Sequence, residues 1–243
     1  SLGYSGGTAS CGKDCKVSSL GCHKVLDGTG FKVSTTSISN GAAVASDGKG
    51  FLVTWQRSST RYAARVSAAG KVLDSPPINL GQSGGVGAVG YGGGNYLVVW
   101  LVGKYFVARR VTAAGKALDG LGIPINPSHG GKSPSVEFDG TNFVVVWNDS
   151  HSGASNIYAA RVSTAGKLLD AKAVPVHEAS GHQRKEPMVA FDGTNFLVVF
   201  TRILWKSGGK WESNIRANRF TTSLKVLHKK DITVSSALGN QFL

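Results

Sequence analysis

Phe138–Trp147 reads FDGTNFVVVW, and Phe191–Phe200 reads FDGTNFLVVF. Two weaker copies stand upstream, SDGKGFLVTW at Ser46–Trp55 and YGGGNYLVVW at Tyr91–Trp100. In each copy an Asp-Gly or Gly-Gly pair, which tolerates the positive φ of a tight hairpin, precedes a short apolar run. A continuous apolar run of this length suits a strand buried on both sheet faces. A further strand follows each time: YAARV at 62–66, FVARRV at 106–111, YAARV at 158–162 and IRANRF at 215–220. It alternates, with Tyr62, Ala64 and Val66 on one face and Ala63 and Arg65 on the other. AAGKVLD at 68–74, AAGKALD at 113–119, TAGKLLD at 164–170 and the eroded TSLKVLH at 222–228 then read as a turn and a fourth strand.

The second strands begin at Phe51, Tyr96, Phe143 and Phe196, so the unit recurs after 45, 47 and 53 residues. A four-stranded unit at that period predicts an all-β fold, a β-propeller of four-stranded blades. The units span about 43–81, 88–126, 135–176 and 188–234. Upstream, KVLDGTGFKVS at 24–34 aligns with KALDGLGIPIN at 116–126, and CKVSSLG at 15–21 resembles the turn before it. Residues 1–23 therefore read as a Cys-containing segment opening a split blade, and 24–243 as the propeller. Closure of that blade by both termini, with SSALGNQFL at 235–243 contributing, would give five blades and remove two unpaired sheet edges. A fragment of a longer repeat protein is the alternative.

The repeat pattern, P-x-V-x-F-D-G-T-N-F-x-V-V-W followed by I-Y-A-A-R-V-S-x-A-G-K-x-L-D, resembles repeats of secreted and surface-attached bacterial proteins, notably of myxobacterial type. The resemblance covers about 24–234. It implies a propeller-like accessory module and transfers no catalytic residue. The departures are YGGGN in the second unit, Phe200 in place of Trp, and the lost Gly and Asp of the last turn. All fall on scaffold positions.

The 243 residues are 41% hydrophobic and 17% charged, which excludes a disordered chain, and no apolar run is long enough for a transmembrane segment. Ser1 opens the chain without Met or signal-like residues, so a removed signal peptide and a secreted or cell-surface location are expected. The net charge of +13 favours polyanionic partners. Its cations are spread along the chain rather than clustered, which argues against a dedicated nucleic-acid groove. Cys11, Cys15 and Cys22 are the only cysteines; two of them form a disulfide if the protein is exported. With His23 they make a poor zinc set, because C-x3-C followed by an adjacent Cys-His lacks the usual spacing.

Repeated polar residues read as scaffold. Asp47, Asp139 and Asp192 sit in hairpin turns with too few oxygen ligands for calcium. Trp55, Trp100, Trp147 and Phe200 end the buried strand in phase with its core positions. Arg65, Arg110, Arg161 and Arg219 either line a channel or pair with Asp74, Asp119 and Asp170; the last unit has His228 instead.

The one–two and three–four turns share one end of such a blade and are nearly constant. The two–three loops and inter-blade connections share the other end and vary, which makes it the candidate functional face. It collects His129, His151, His177, His182, Asn148, Asp149, Glu178, Gln183, Arg184, Lys185 and Glu186. Its longest loop, TRILWKSGGKWESN at 201–214, carries Trp205, Trp211 and Glu212. Tryptophan beside Lys, Glu and Asn suits sugar recognition, ring face for stacking and polar groups for hydroxyls. The expected function is binding of a glycan, an anionic surface polymer or another protein, with no cofactor. The rivals are a hydrolase, using a metal held by His151, His177, Glu178 and His182 or a carboxylate pair from Asp149, Glu178, Glu186 and Glu212, and an oligomeric extracellular assembly tethered by the cysteines.

Overall fold

A computed structural model of the chain describes residues 30–34, 40–125, 131–151, 154–177, 183–206, 210–228 and 230–235. The chain divides into two compact units, Ser1–Lys32 and Val33–Leu243. The expected split blade, its three cysteines and His23 lie outside the described residues.

Every regular element among the described residues is a strand, and the strands form four antiparallel four-stranded units. Blade one comprises β1 (Asn40–Ser46), β2 (Gly50–Arg57), β3 (Thr60–Ser67) and β4 (Ile78–Gln82). Blade two comprises β5 (Gly87–Gly92), β6 (Asn95–Val102), β7 (Tyr105–Thr112) and β8 (Ile123–Pro124). Blade three comprises β9 (Lys132–Phe138), β10 (Asn142–His151), β11 (Ala154–Ser163) and β12 (Val174–His177). Blade four comprises β13 (Gln183–Phe191), β14 (Asn195–Lys206), β15 (Lys210–Thr221) and β16 (Ile232–Ser235). Each unit pairs in simple up-and-down order, and a single parallel bridge, Ser155 to Gln183, links the last two. The first strands run side by side, β1 against β5, β5 against β9 and β9 against β13. This is the blade arrangement of a β-propeller.

One hydrophobic core fills each gap between blades. Leu52, Ala63 and Leu80 of blade one meet Tyr96, Val98, Trp100 and Val111 of blade two. Leu97, Val99, Phe106 and Ala108 meet Phe143, Val145, Trp147 and Ala160 of blade three. Val144, Val146, Ile157 and Ala159 meet Phe196, Val198, Phe200 and Phe220 of blade four. The second strand therefore buries both faces in blades two and three, which is why its sequence is continuously apolar. Trp100 and Trp147 are both buried, as their phase predicts; Trp100 donates its indole N–H to the Gln82 carbonyl at 2.7 Å. In blade one the expectation fails at Phe51, which is 42% exposed because its face points away from blade two and meets no described blade.

The fourth strand also differs from its expected place. Lys71–Asp74 and its equivalents form only an isolated bridge, such as Val66 to Val72, and the pairing fourth strand comes later, at β4, β8, β12 and β16. The intervening turn instead swings a carboxylate onto the third strand. Asp74 accepts from the Arg65 backbone N–H at 2.7 Å and from its guanidinium at 2.7–3.2 Å. Asp119 holds Arg110 and Asp170 holds Arg161 in the same way. Each arginine then reaches a backbone carbonyl of the next blade, from Arg65 to Ala113, Arg110 to Thr164 and Arg161 to Thr222. The recurring arginine is thus a clamp within and between blades. Arg219, without its Asp, lies 4.0 Å from Asp192 at the surface.

Candidate functional site

Let the lower end be the one that carries the one–two and three–four turns. Its carboxylates are occupied by backbone. Asp139 Oδ1 accepts the N–H groups of Thr141 and Asn142 at 2.8 and 2.6 Å, and Asp47 and Asp192 do the same in their turns. Gly140 follows at φ 91°, a conformation that glycine adopts without strain. These turns thus build the hairpins, and Asp47 also meets Tyr96 of blade two.

The upper end differs from blade to blade because its hairpins differ in height. The β2–β3 and β6–β7 ladders close at Arg57–Thr60 and Val102–Tyr105. The β10–β11 ladder continues to His151–Ala154, and the β14–β15 ladder to Lys206–Lys210. What the sequence suggests as a 14-residue loop at 201–214 is largely strand. Thr201, Ile203, Trp205, Trp211 and Ile215 are β-branched or aromatic residues that favour pairing, and the register sets Trp205 directly opposite Trp211. Likewise Asn148, Asp149 and His151 belong to β10, His177 to β12, and Gln183–Glu186 to β13. Among the other expected site residues, His129, Glu178 and His182 lie outside the described residues.

The structure joins some of these residues and separates others. Asn148 faces blade four, since it shares the face of Val144 and Val146. Its amide donates to Ser155 Oγ at 3.3 Å, and Ser155 Oγ donates to the Arg184 carbonyl at 2.7 Å. Arg184 is fully buried and reaches Asn156 Oδ1 at 3.4 Å. Asn148 and Arg184 therefore form part of one buried polar junction between blades three and four. Asp149, also buried, alternates to the opposite face of β10, away from Asn148. Lys185 and Glu186 are exposed. Glu186 precedes Pro187 at φ 54°, a strained backbone for a residue with a side chain, at the bulge between Lys185 and Met188. Ser133, before Pro134 in β9, repeats this geometry at φ 50°.

Three arginines escaped the sequence reading. Arg61 is fully buried and donates to the carbonyls of Gly41 and Gly85. Burial pulls its guanidinium down to about 10. It stands where blades two and three carry Phe106 and Ile157, and that break in an apolar column was the available signal. Arg202 lies opposite both Arg184 on β13 and Asn214 on β15, and Arg216 lies opposite Phe200. Arg216 occupies the position of Tyr62 and Tyr158, whose rings stack on Trp55 and Trp147 at 6.4 Å. Burial, then the charge of Arg216, holds Arg202 below the usual guanidinium value, with Asp231 and Glu212 opposing. Burial likewise lowers Arg184.

No family model matches the sequence, and no curated protein does. Solved structures do match in fold. A subtype N11 neuraminidase-like protein of A/flat-faced bat/Peru/033/2010 (H18N11) superposes with a TM-score of 0.55 at 14% identity, over 84% of this chain and 56% of that one. The α-L-arabinofuranosidase Arb93A from Fusarium graminearum, solved with an iminosugar inhibitor, gives 0.57 at 13% identity, over 80% and 66%. An endo-arabinase from Bacteroides thetaiotaomicron VPI-5482 gives 0.51 at 12% identity, over 85% and 84%. The chain spans little more than half the length of the neuraminidase-like protein. At such identities the likeness is one of fold. With the blade topology and the inter-blade cores, it defines the class: this chain is a β-propeller protein. No helix among the described residues is long and apolar enough to cross a membrane.

Proposed function

We propose that this chain is a secreted or surface-associated binding module that recognises a saccharide through the upper end of blades three and four. The observation that carries the reading is the β14–β15 hairpin, which extends six residues beyond Phe200 and pairs Trp205 with Trp211. A two-stranded ladder with a cross-strand tryptophan pair on one face and Glu212 on the other, at the end of the molecule that also carries Asn148, Asp149 and Arg184, has the composition of a sugar site. The neighbours in fold support the same reading, since one is named an α-L-arabinofuranosidase and another an endo-arabinase. A glycan array is the direct test. Saturable binding that falls about tenfold or more in both Trp205→Ala and Trp211→Ala is the expected result. An array with no binding at all overturns the reading.

The second reading, a hydrolase at the same end, is favoured by those neighbours and by Glu212, which faces the junction and accepts from Asn214 Nδ2 at 2.9 Å. The pure protein would then cleave arabinan or another polysaccharide, and Glu212→Gln would abolish turnover. A protein that binds the polymer and leaves its chain length unchanged is a binding module.

A further inference from the structure

Blade four carries a concentration of positive charge that its packing does not require. Arg184, Arg202 and Asn214 stand in one row across β13, β14 and β15, and Arg216 lies two residues below Asn214 on the same face. That face looks toward blade three, because Phe196, Val198 and Phe200 share it and pack on Val144, Val146 and Ile157. Asn218, two residues further on, confirms the direction by donating to the Val176 carbonyl of blade three. Three guanidinium groups thus meet above the inter-blade core, with the carboxylates of Glu212 and Asp231 as their acidic neighbours. Among the described residues, two carboxylates thus face three guanidinium groups.

The two outer arginines are the accessible ones. Both are half-buried, whereas Arg184 is enclosed. The Arg202 guanidinium has no hydrogen bond among the described residues, and its Nε is shut off from solvent with no acceptor. The Arg216 side chain has a single described hydrogen bond, to Thr233 Oγ1, and its Nε is likewise without an acceptor. A guanidinium carries five donors in a planar fork, and buried donors are ordinarily satisfied. Here they are not, at a position where blades one and three place a tyrosine that stacks on tryptophan. Replacing that ring by Arg216 forfeits an aromatic contact and sets two like charges near each other. An oxyanion between the two forks would satisfy the free donors and remove the charge excess together.

We infer that Arg202 and Arg216 form an oxyanion subsite at the upper end of the gap between blades three and four, taking a carboxylate or sulfate of an acidic saccharide. The inference rests on the saccharide reading above for the identity of the ligand, and on the paired forks for its charge. Arg184 and Asn148 lie deeper in the same gap and position the strands rather than touch the anion. Binding at this subsite is local and bidentate, unlike the diffuse attraction of a chain with net charge +13.

The test compares an oligogalacturonide with a neutral arabino-oligosaccharide of equal length, by calorimetry on the full chain at physiological salt. The acidic oligomer binds about tenfold or more tightly, and Arg202→Gln and Arg216→Gln each lower its affinity about tenfold while the neutral oligomer is unaffected. Arg202→Lys keeps the charge and loses most of the preference, because the fork is gone. Lys104→Gln and Lys49→Gln, which remove charge elsewhere, change it less than about twofold. A second arm measures the thermal midpoint in sodium sulfate against sodium chloride at equal ionic strength. Sulfate raises it in the native chain and not in either Arg→Gln variant. If sulfate behaves so and neither oligosaccharide binds, the anion subsite stands and the saccharide reading falls. If the neutral oligomer binds equally well, or if the lysine variants lose as much as the arginine variants, this inference is overturned and the saccharide reading survives. Binding of neither oligomer with no sulfate effect overturns both.

Discussion

At the scale of the residue, the arginine–aspartate clamp shows what a repeated charge is for. Arg110 and Asp119 meet through a two-pronged contact at 2.6–3.2 Å, and the same carboxylate also accepts the Arg110 backbone N–H. Burial alone would raise the Asp119 carboxyl, but the hydrogen bonds and charge of Arg110 hold it below the usual value, and Arg65 acts alike on Asp74. A carboxyl depressed on folding stabilises fully above its unfolded pKa of about 3.9 and loses that contribution as pH falls through the lower folded value. Asp119→Asn is therefore expected to cost about 1–2 kcal/mol at neutral pH, less than a fully enclosed pair because both side chains keep some solvent. Urea unfolding from pH 7 to about pH 2 should also show a shallower acid loss in the variant than in the native chain. Equal pH slopes would mean that the clamp does not hold the carboxyl down. The sequence alone left this arginine between an anion channel and a structural pair. What decided it was the turn at Lys71–Asp74, read as a strand when its work is to deliver a carboxylate nine residues along the chain.

At the scale of the element, β14 and β15 run from core to upper end as one ladder. Phe200 and Ala217 pack into the blades, Thr201, Ser213 and Asn214 above them are still buried, and the ladder closes at Lys206 and Lys210. Replacing Ile203–Ser213 with Asn-Gly, which favours a two-residue turn, would close the hairpin at the existing Arg202–Asn214 pair. The shortened chain is expected to keep its β-sheet circular dichroism and to unfold within about 1 kcal/mol of the native one, while saccharide binding disappears. Loss of the fold would show that the upper ladder is part of the scaffold. The four repeat units, the order of their first three strands and the buried aromatic of each second strand were legible, because every copy repeats the same solution to the same packing problem. The upper end was legible as a location but not as a structure. A hairpin that grows from eight to twelve residues a strand has no repeat to compare with, so its strands looked like loops. Arg202 and Arg216 stayed hidden for a related reason: the register that makes them neighbours is a property of the extended ladder.

At the scale of the whole molecule, the four described blades are not equivalent, because among the described residues two have neighbours on both sides and two on one side only. Val53 is only half-buried where Val98, Val145 and Val198 are fully enclosed, and Val44 and Phe51 beside it are exposed. On blade four the face turned away from blade three exposes Met188 and Leu197. Each open face withholds several large apolar side chains from burial, worth about 1.5–3 kcal/mol apiece when fully enclosed. Local opening should follow that inequality, since amide protection tracks how much packing must be broken to expose the bond. Hydrogen exchange is expected to be slowest in β6 and β10, and at least about tenfold faster in β2 and β14, although all four strands have the same hydrogen-bond pattern. The comparison is internal to one protein and insensitive to overall stability. If β2 and β14 prove as protected as β6 and β10, the open faces are covered in solution, by the remaining segments of the chain or by a second copy. Dilution separates those two cases, because protection from a second copy falls with protein concentration and protection from the chain itself does not.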